Sequence, residues 1–419
     1  MSNQVEHEQI RRARGKFVAM ASAYFLGVYN DNFFKQAALL LAVAAGRTEM
    51  QGYAIAIFTL PFLIFAAPAG WLADRYPKRN VVIAAKWIEL AAMICGAIGI
   101  CTGQWFLIFA MLATMGTQAT IFSPALCGSI PELYPESYVT KANGVLRMIV
   151  TIGILSGIAL AGIALDVHGI GPWGIDNGRF VVAVVIILVS LIGLAVSYGV
   201  FSRPAASPQA CFPWKGPLDT IRTLWETRTD ALLALIIGAD VFIWFVGSLQ
   251  ILLINPLGLQ QYKLSETLTS ALIVSQLLGI GIGGLASGRL ATGKKWFRVL
   301  IPAGFVMSVL MMGVAVVPSL PASVQLVFLF ILIGLIGIFG GLFLIPCESF
   351  IQVRPAADRK GAIIASSNFV IFAGILLSGP LSNVFNAVWK PTTGYGIVGI
   401  VSFIVSIFLW LIFRKREWS

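Results

Sequence analysis

Six charged residues stand inside stretches of this chain that are otherwise almost wholly apolar: Asp31, Lys35, Lys86, Glu89, Arg147 and Asp240. A charge in a hydrocarbon setting is costly and persists where it meets a partner, a polar cavity or an ion pathway. Three of the six are acidic and three basic, so the set can neutralise itself. Asp31 and Lys35 are four residues apart, Lys86 and Glu89 three apart, and such spacings let each pair meet on one helix face. Asn30 and Asn32 flank Asp31, a polarity that packing does not call for. Three kinds of chemistry fit these residues. They can bind a zwitterionic ligand, its cationic group on Asp31 or Asp240 and its anionic group on Arg147, Lys35 or Lys86. The acids can carry protons if burial raises their pKa. The pairs can instead be internal glue that makes a closed bundle tolerable. The residues alone leave all three open.

The elements that must position these residues are membrane helices. Of 419 residues, 58% are hydrophobic and 11% charged. A helix needs roughly 20 apolar residues to cross a bilayer, and runs of about 20 to 28 recur along the whole chain. Strands of a membrane barrel would be shorter and alternating. Twelve spans are expected: 17–42, 51–73, 80–101, 104–131, 140–165, 179–201, 231–256, 266–288, 297–317, 323–349, 361–386 and 393–413. At 1.5 Å per residue, Asp31 then lies roughly 20 Å from the nearer basic edge, and Glu89 and Asp240 ~14 Å. The fold class is therefore an all-α membrane protein.

The net charge of +11 is no nucleic-acid signature, because the charges sit at span ends. Alternate loops carry most of the basic residues, among them Arg11 to Lys16, Arg75 to Arg79, Arg203 to Arg228, Arg289 to Arg298, Arg354 to Lys360 and Arg414 to Arg416. The opposite loops hold only Arg47, Arg179, Lys263 and Lys390. Lys and Arg are retained in the cytoplasm, so both termini are expected there and the span count is even. The five cysteines are scattered and show no metal spacing, so neither a disulfide framework nor a metal site is expected.

The longest break, 202–230, separates a six-span half (1–201) from a second (231–419). Its first part reads as linker, its second as a short amphipathic helix with Leu218, Ile221, Leu224 and Trp225 on one face. Two motifs look chemical without completing one. Gly288 to Lys295 nearly spells a phosphate loop, but lacks the final Ser or Thr and follows a membrane span. His7 and His168 are not followed by the Asp that an acyltransferase would use. No catalysis and no cofactor are expected.

The segment Gly70-x-x-x-Asp74-Arg75-x-x-Lys78-Arg79 follows the second span, and Gly284-x-x-x-Gly288-Arg289 follows the eighth. Gly70 permits close helix approach. Asp74 can face a helix N-terminus, and Arg75, Lys78, Arg79 and Arg289 can pair with acids or lipid phosphates. Two similar halves joined by a long cytoplasmic loop are a transporter layout, and the first segment resembles the signature of the major facilitator superfamily. This resemblance implies a gating role for these residues.

Within that superfamily, Phe25-Leu26-Gly27-Val28-Tyr29-Asn30-Asp31-Asn32-Phe33-Phe34-Lys35 resembles the first helix of the branch of bacterial lysophospholipid transporters. The same branch includes transporter domains fused to acyl-glycerophosphoethanolamine acyltransferase and acyl-acyl-carrier-protein synthetase. Lys86-Trp87-x-Glu89, Phe122-Ser123-Pro124, Lys141-Ala142-Asn143-Gly144 and Phe242-x-Trp244-Phe245-x-Gly247 extend the match. The resemblance implies alternating access and the flipping of lysophospholipids across the bacterial inner membrane, with a cytoplasmic acyltransferase as a candidate partner. Two positions depart from the branch. Leu126-Cys127 stands where Lys-Tyr is usual, and Arg147 where dedicated flippases tend to carry an acid. Two other readings remain: a proton-coupled transporter of an amphiphilic small molecule, and a non-transporting subunit that recruits an acyltransferase.

Overall fold

The structure is a computed structural model that describes residues 2–127, 129–201, 204–205, 207–209, 211–291, 297–356 and 359–415. Arg203, Lys294, Lys295 and Arg416, used in the charge count, and the second half of the phosphate-loop-like motif (292–295) lie outside the described residues, as do the side chains of Lys141, Arg298, Lys360 and Lys415. The described helices are α1 (Ser2–Ala44), α2 (Glu49–Arg75), α3 (Lys78–Thr102), α4 (Trp105–Cys127), the short α5 (Ile130–Leu133), α6 (Glu136–Leu165), α7 (Asn177–Ser197), α8 (Gly216–Thr227), α9 (Ala231–Pro256), α10 (Glu266–Leu290), α11 (Phe297–Val316), α12 (Ala322–Val353), α13 (Lys360–Val388) and α14 (Pro391–Lys415). Each expected span has its helix. Among the described residues, eleven helices are long and apolar enough to cross a membrane by length and composition. The remaining long helix, α1, carries Asn30, Asp31, Asn32 and Lys35, which dilute its apolarity.

Helix ends follow local chemistry. Gly103, at φ 69°, ends α3 in the left-handed region, a conformation glycine adopts at no steric cost. Asp176, Asp230 and Ser265 accept the amides of Arg179, Leu233 and Leu268 as N-caps of α7, α9 and α10. The amino-terminal extension of α1 beyond its apolar part has no proline and is rich in helix formers. There Arg12 pairs with Glu8 one turn away at 2.5 Å. Pro346 lies inside α12, which continues to Val353, so Glu348 is helical.

The chain divides into two compact units: Met1–Leu39 with Ile57–Pro217, and Leu40–Ala56 with Leu218–Ser419. The hairpin tip joining α1 to α2 thus belongs to the second unit. There Asn255 donates to Gln51 at 2.9 Å and Gln260 to Thr48 at 2.8 Å. In the first unit, one core gathers Phe17, Met20 and Ala21 of α1, Val82 and Ala85 of α3, Phe122 and Ala125 of α4, Tyr134 and Leu146. The connecting segment turns back onto α2: the Ser207 amide donates to the Asp74 carbonyl at 2.8 Å, and the Phe212 ring stands 5.1 Å from Trp71. In the second unit, Gly279 and Gly283 of α10 face the backbone of α12 around Gly337 and Ile338. Lipid supplies no hydrophobic drive for helix pairing, so small residues that bring backbones close do that work.

Candidate functional site

The buried charges of the first unit are set by α3. Lys86 and Glu89 lie three residues apart on its inner face, and the ammonium meets Glu89 Oε2 at 2.7 Å with both side chains wholly buried. Room for the ammonium comes from α1, because a Cβ at Gly27 would come within 2.8 Å of Lys86 Nζ. The Phe122 ring of α4 lies 5.0 Å from the same nitrogen, a cation–π contact. Gln118, also on α4, donates to Glu89 Oε2 at 3.3 Å. The i,i+3 pairing is thus a formed ion pair, held by three helices.

Around this pair, α1 places its polar segment. The Asn30 amide donates to the Ile186 carbonyl of α7 at 3.1 Å, and Asn32 turns back to the Val28 carbonyl of its own helix at 2.8 Å. Asp31 interacts electrostatically with Glu89, Lys86 and Lys35. The Lys35 ammonium sits 5.0 Å from the centre of the Phe58 ring. Among the described residues, no group donates to the buried oxygens Asn30 Oδ1, Asp31 Oδ1 and Glu89 Oε1. A buried acceptor without a donor is costly, so the group holds a surplus of acceptors that a ligand ammonium or a proton would satisfy.

The second unit carries its own acidic position. Asp240 of α9 is 2% exposed, its Oδ1 also lacks a donor, and it interacts with Glu348 of α12. Arg147 is exposed on α6 rather than buried with the α1–α3 group. Of the candidate binding residues, then, the structure assembles Asp31, Lys35, Lys86 and Glu89, while Asn32 faces Gly157 of α6. Gln118 and Glu348 were not expected. A lone glutamine in an apolar span and an acid one turn from a helix end give no periodic signal that would single them out.

The expected gating segment is placed at the end of α2 and the start of α3. Arg79 donates to the Tyr198 carbonyl at 2.8 Å and so caps the end of α7, where a cation complements the helix dipole. Arg75 lies 5.4 Å over the Trp71 ring. Asp74 and Arg289 are exposed, and Lys78 is half-buried. Among the described residues, a Cβ at Gly70 would meet nothing within 4 Å. Among the described residues, no group of three or more His, Cys, Asp or Glu side chains is placed to hold a metal ion.

The sequence profile of the Major Facilitator Superfamily matches residues 17–320. The chain is 28% identical over 412 residues to the lysophospholipid transporter LplT of Klebsiella pneumoniae (strain 342), covering 95% of this chain and 96% of that protein. It is 28% identical over 421 residues to LplT of Photorhabdus laumondii subsp. laumondii, covering 96% and 97%. Among solved structures, a bacterial homologue of the human lysosomal transporter Spinster superposes with a TM-score of 0.73 at 14% identity, over 97% of this chain and 98% of that one. The xylose transporter XylE from E. coli gives 0.69 at 16% identity, over 94% and 95%.

Proposed function

The chain belongs to the Major Facilitator Superfamily, and on that premise we propose that it is an alternating-access transporter of lysophospholipids in the bacterial inner membrane. The observation that carries this reading is the surplus of buried acceptors at Asn30, Asp31 and Glu89 beside the cations Lys35 and Lys86. An ammonium brings several donors to such a site and a phosphate finds the cations, so a zwitterionic head group meets both signs. Likeness to lysophospholipid transporters over nearly the whole chain supports the same substrate class.

In this reading Asp31, Asn32, Lys35, Lys86 and Glu89 serve the head group in the first half (1–201), with Arg147 contributing phosphate contact from α6. Asp240 serves it in the second half (231–419). The linker 202–230 joins the halves, and both termini are cytoplasmic. Gly70, Asp74, Arg75, Lys78, Arg79 and Arg289 form the gating segments. The chain itself performs no catalysis; an acyltransferase on the cytoplasmic side consumes what it delivers.

Reconstitution into liposomes tests the reading. Uptake of labelled lysophosphatidylethanolamine is expected with or without a proton gradient. Uptake that vanishes without the gradient would favour a proton-coupled carrier, and acyltransferase binding with no uptake would favour a recruiting subunit.

A further inference from the structure

A cavity of ≈ 370 Å³ lies between α1 and α6 near the basic end of the first unit, apart from the buried charged group. Its α1 wall is Arg14, Phe17, Val18, Ala21, Ser22 and Phe25, and its α6 wall includes Tyr138, Ala142, Val145 and Ile149. Both sets follow the i, i+3, i+4, i+7 spacing of a single helix stripe, so the two walls face each other along one line. From Arg14 to Phe25 the stripe runs ~16 Å at 1.5 Å per residue.

The two ends differ in chemistry. At one end stand the Arg14 guanidinium and the rings of Tyr134 and Tyr138, whose centroids are 4.9 Å apart. Arg14 interacts electrostatically with the Tyr134 hydroxyl. Arg11, Arg12 and Lys16 follow on neighbouring positions of the same helix and add positive potential. Toward the other end the walls are apolar. Beyond Phe25 α6 packs close on α1, since a Cβ at Gly153 would lie 3.3 Å from the Phe25 carbonyl oxygen. A mainly apolar slot with a guanidinium at one end matches one acyl chain ending in an anion. Its volume is near the lower end of ligand pockets of about 300–1,000 Å³, room for one chain rather than two. Arg forms paired hydrogen bonds to phosphate, which fix the head as well as attract it.

We propose that this slot is a second lipid site, in which Arg14 holds the phosphate of a single-chain phospholipid and α1 and α6 hold its acyl chain. It rests on the transport reading above only for lysophospholipid as the probe. It adds a stop at the basic end of α1, where a lysolipid is held at the membrane surface away from Asp31.

The test is photolabelling of the full-length protein in detergent with lysophosphatidylglycerol carrying a diazirine in its acyl chain, followed by peptide mapping, with uptake measured after part of the same purified protein is reconstituted into liposomes. Labels are expected on the peptides spanning 17–25 and 142–149. Arg14→Gln should reduce them about tenfold at limiting probe, as loss of a charge-assisted contact predicts. Val145→Trp should fill the slot and abolish them; should that variant fail to fold, Ser22→Leu makes the same test at a half-buried position of the α1 wall. A diazirine fatty acid should label these peptides less than the lysolipid. Equal labelling by the fatty acid would overturn the phosphate assignment, and normal uptake with no label on either peptide would overturn the site while leaving transport intact. Labelling without uptake would support the slot and count against the transport reading.

Discussion

Lys86 and Glu89 form an ion pair of 2.7 Å with neither side chain exposed, and the Glu89 oxygen in that pair also accepts from Gln118. Removing one member of a buried pair strands the other charge, which costs about 3–5 kcal/mol. Lys86→Met should therefore lower the thermal unfolding midpoint markedly in detergent, whereas Lys86→Met combined with Glu89→Leu should recover most of the loss. A double variant as unstable as the single one would show that the pair is not a self-contained unit.

That pair was legible in the sequence because both partners sit on one helix. Its surroundings were not. Gln118 reaches Glu89 from another helix, and Asn30 bonds a carbonyl 156 positions away; helical periodicity says nothing about which faces meet. Span positions followed from apolar run length alone, down to the bounds of α9. The run did not show where α1 begins, because a helix needs no apolar residues once it leaves lipid. Gly70 marks another limit: its type permits close packing, but among the described residues nothing lies within 4 Å of a Cβ built there.

Asp74 is exposed at the end of α2, and its carbonyl anchors Ser207 of the linker. That anchor is a backbone contact, so Asp74→Asn should leave it and the fold intact. If the carboxylate biases one conformational state, the variant should transport more slowly at equal expression. A wild-type rate would remove Asp74 from the gating mechanism.

Asp230 caps α9 and pairs with Arg354 at 2.9 Å. Partial burial pushes its pKa up, but the Arg354 hydrogen bond and charge and the Leu233 amide outweigh this and hold it below the ordinary 3.8. A depressed carboxylate pKa contributes stability above the unfolded value and loses it as pH falls through the folded one. The pair is partly exposed, so its contribution is at most about 1 kcal/mol. Wild type should unfold at slightly higher temperature than Asp230→Asn at neutral pH, and the difference should shrink below pH 3.8. A difference that persists in acid would assign the effect to helix capping by the neutral side chain.

The proposed orientation places Lys263 outside and Lys215 in the cytoplasm. In a background without other cysteines, Lys263→Cys should react with an impermeant maleimide added to intact cells, and Lys215→Cys should react only after the membrane is opened. Labelling of position 215 in intact cells would invert the topology.

In the proposed function, the buried acceptors of the first unit hold a lysophospholipid head group through Asp31. The most direct measurement is the initial rate of lysophosphatidylethanolamine entry into proteoliposomes, compared with an anionic lysolipid, for wild type, Asp31→Asn, and Asp31→Asn with Lys35→Gln. A charge-assisted bond of ~1.5–3 kcal/mol predicts a loss of roughly tenfold or more for the zwitterionic lipid in the single variant. A smaller loss is expected for the anionic lipid, with no rescue in the double variant. Equal loss for both lipids, restored by Lys35→Gln, would make Asp31 a structural partner of Lys35 and contradict the claim.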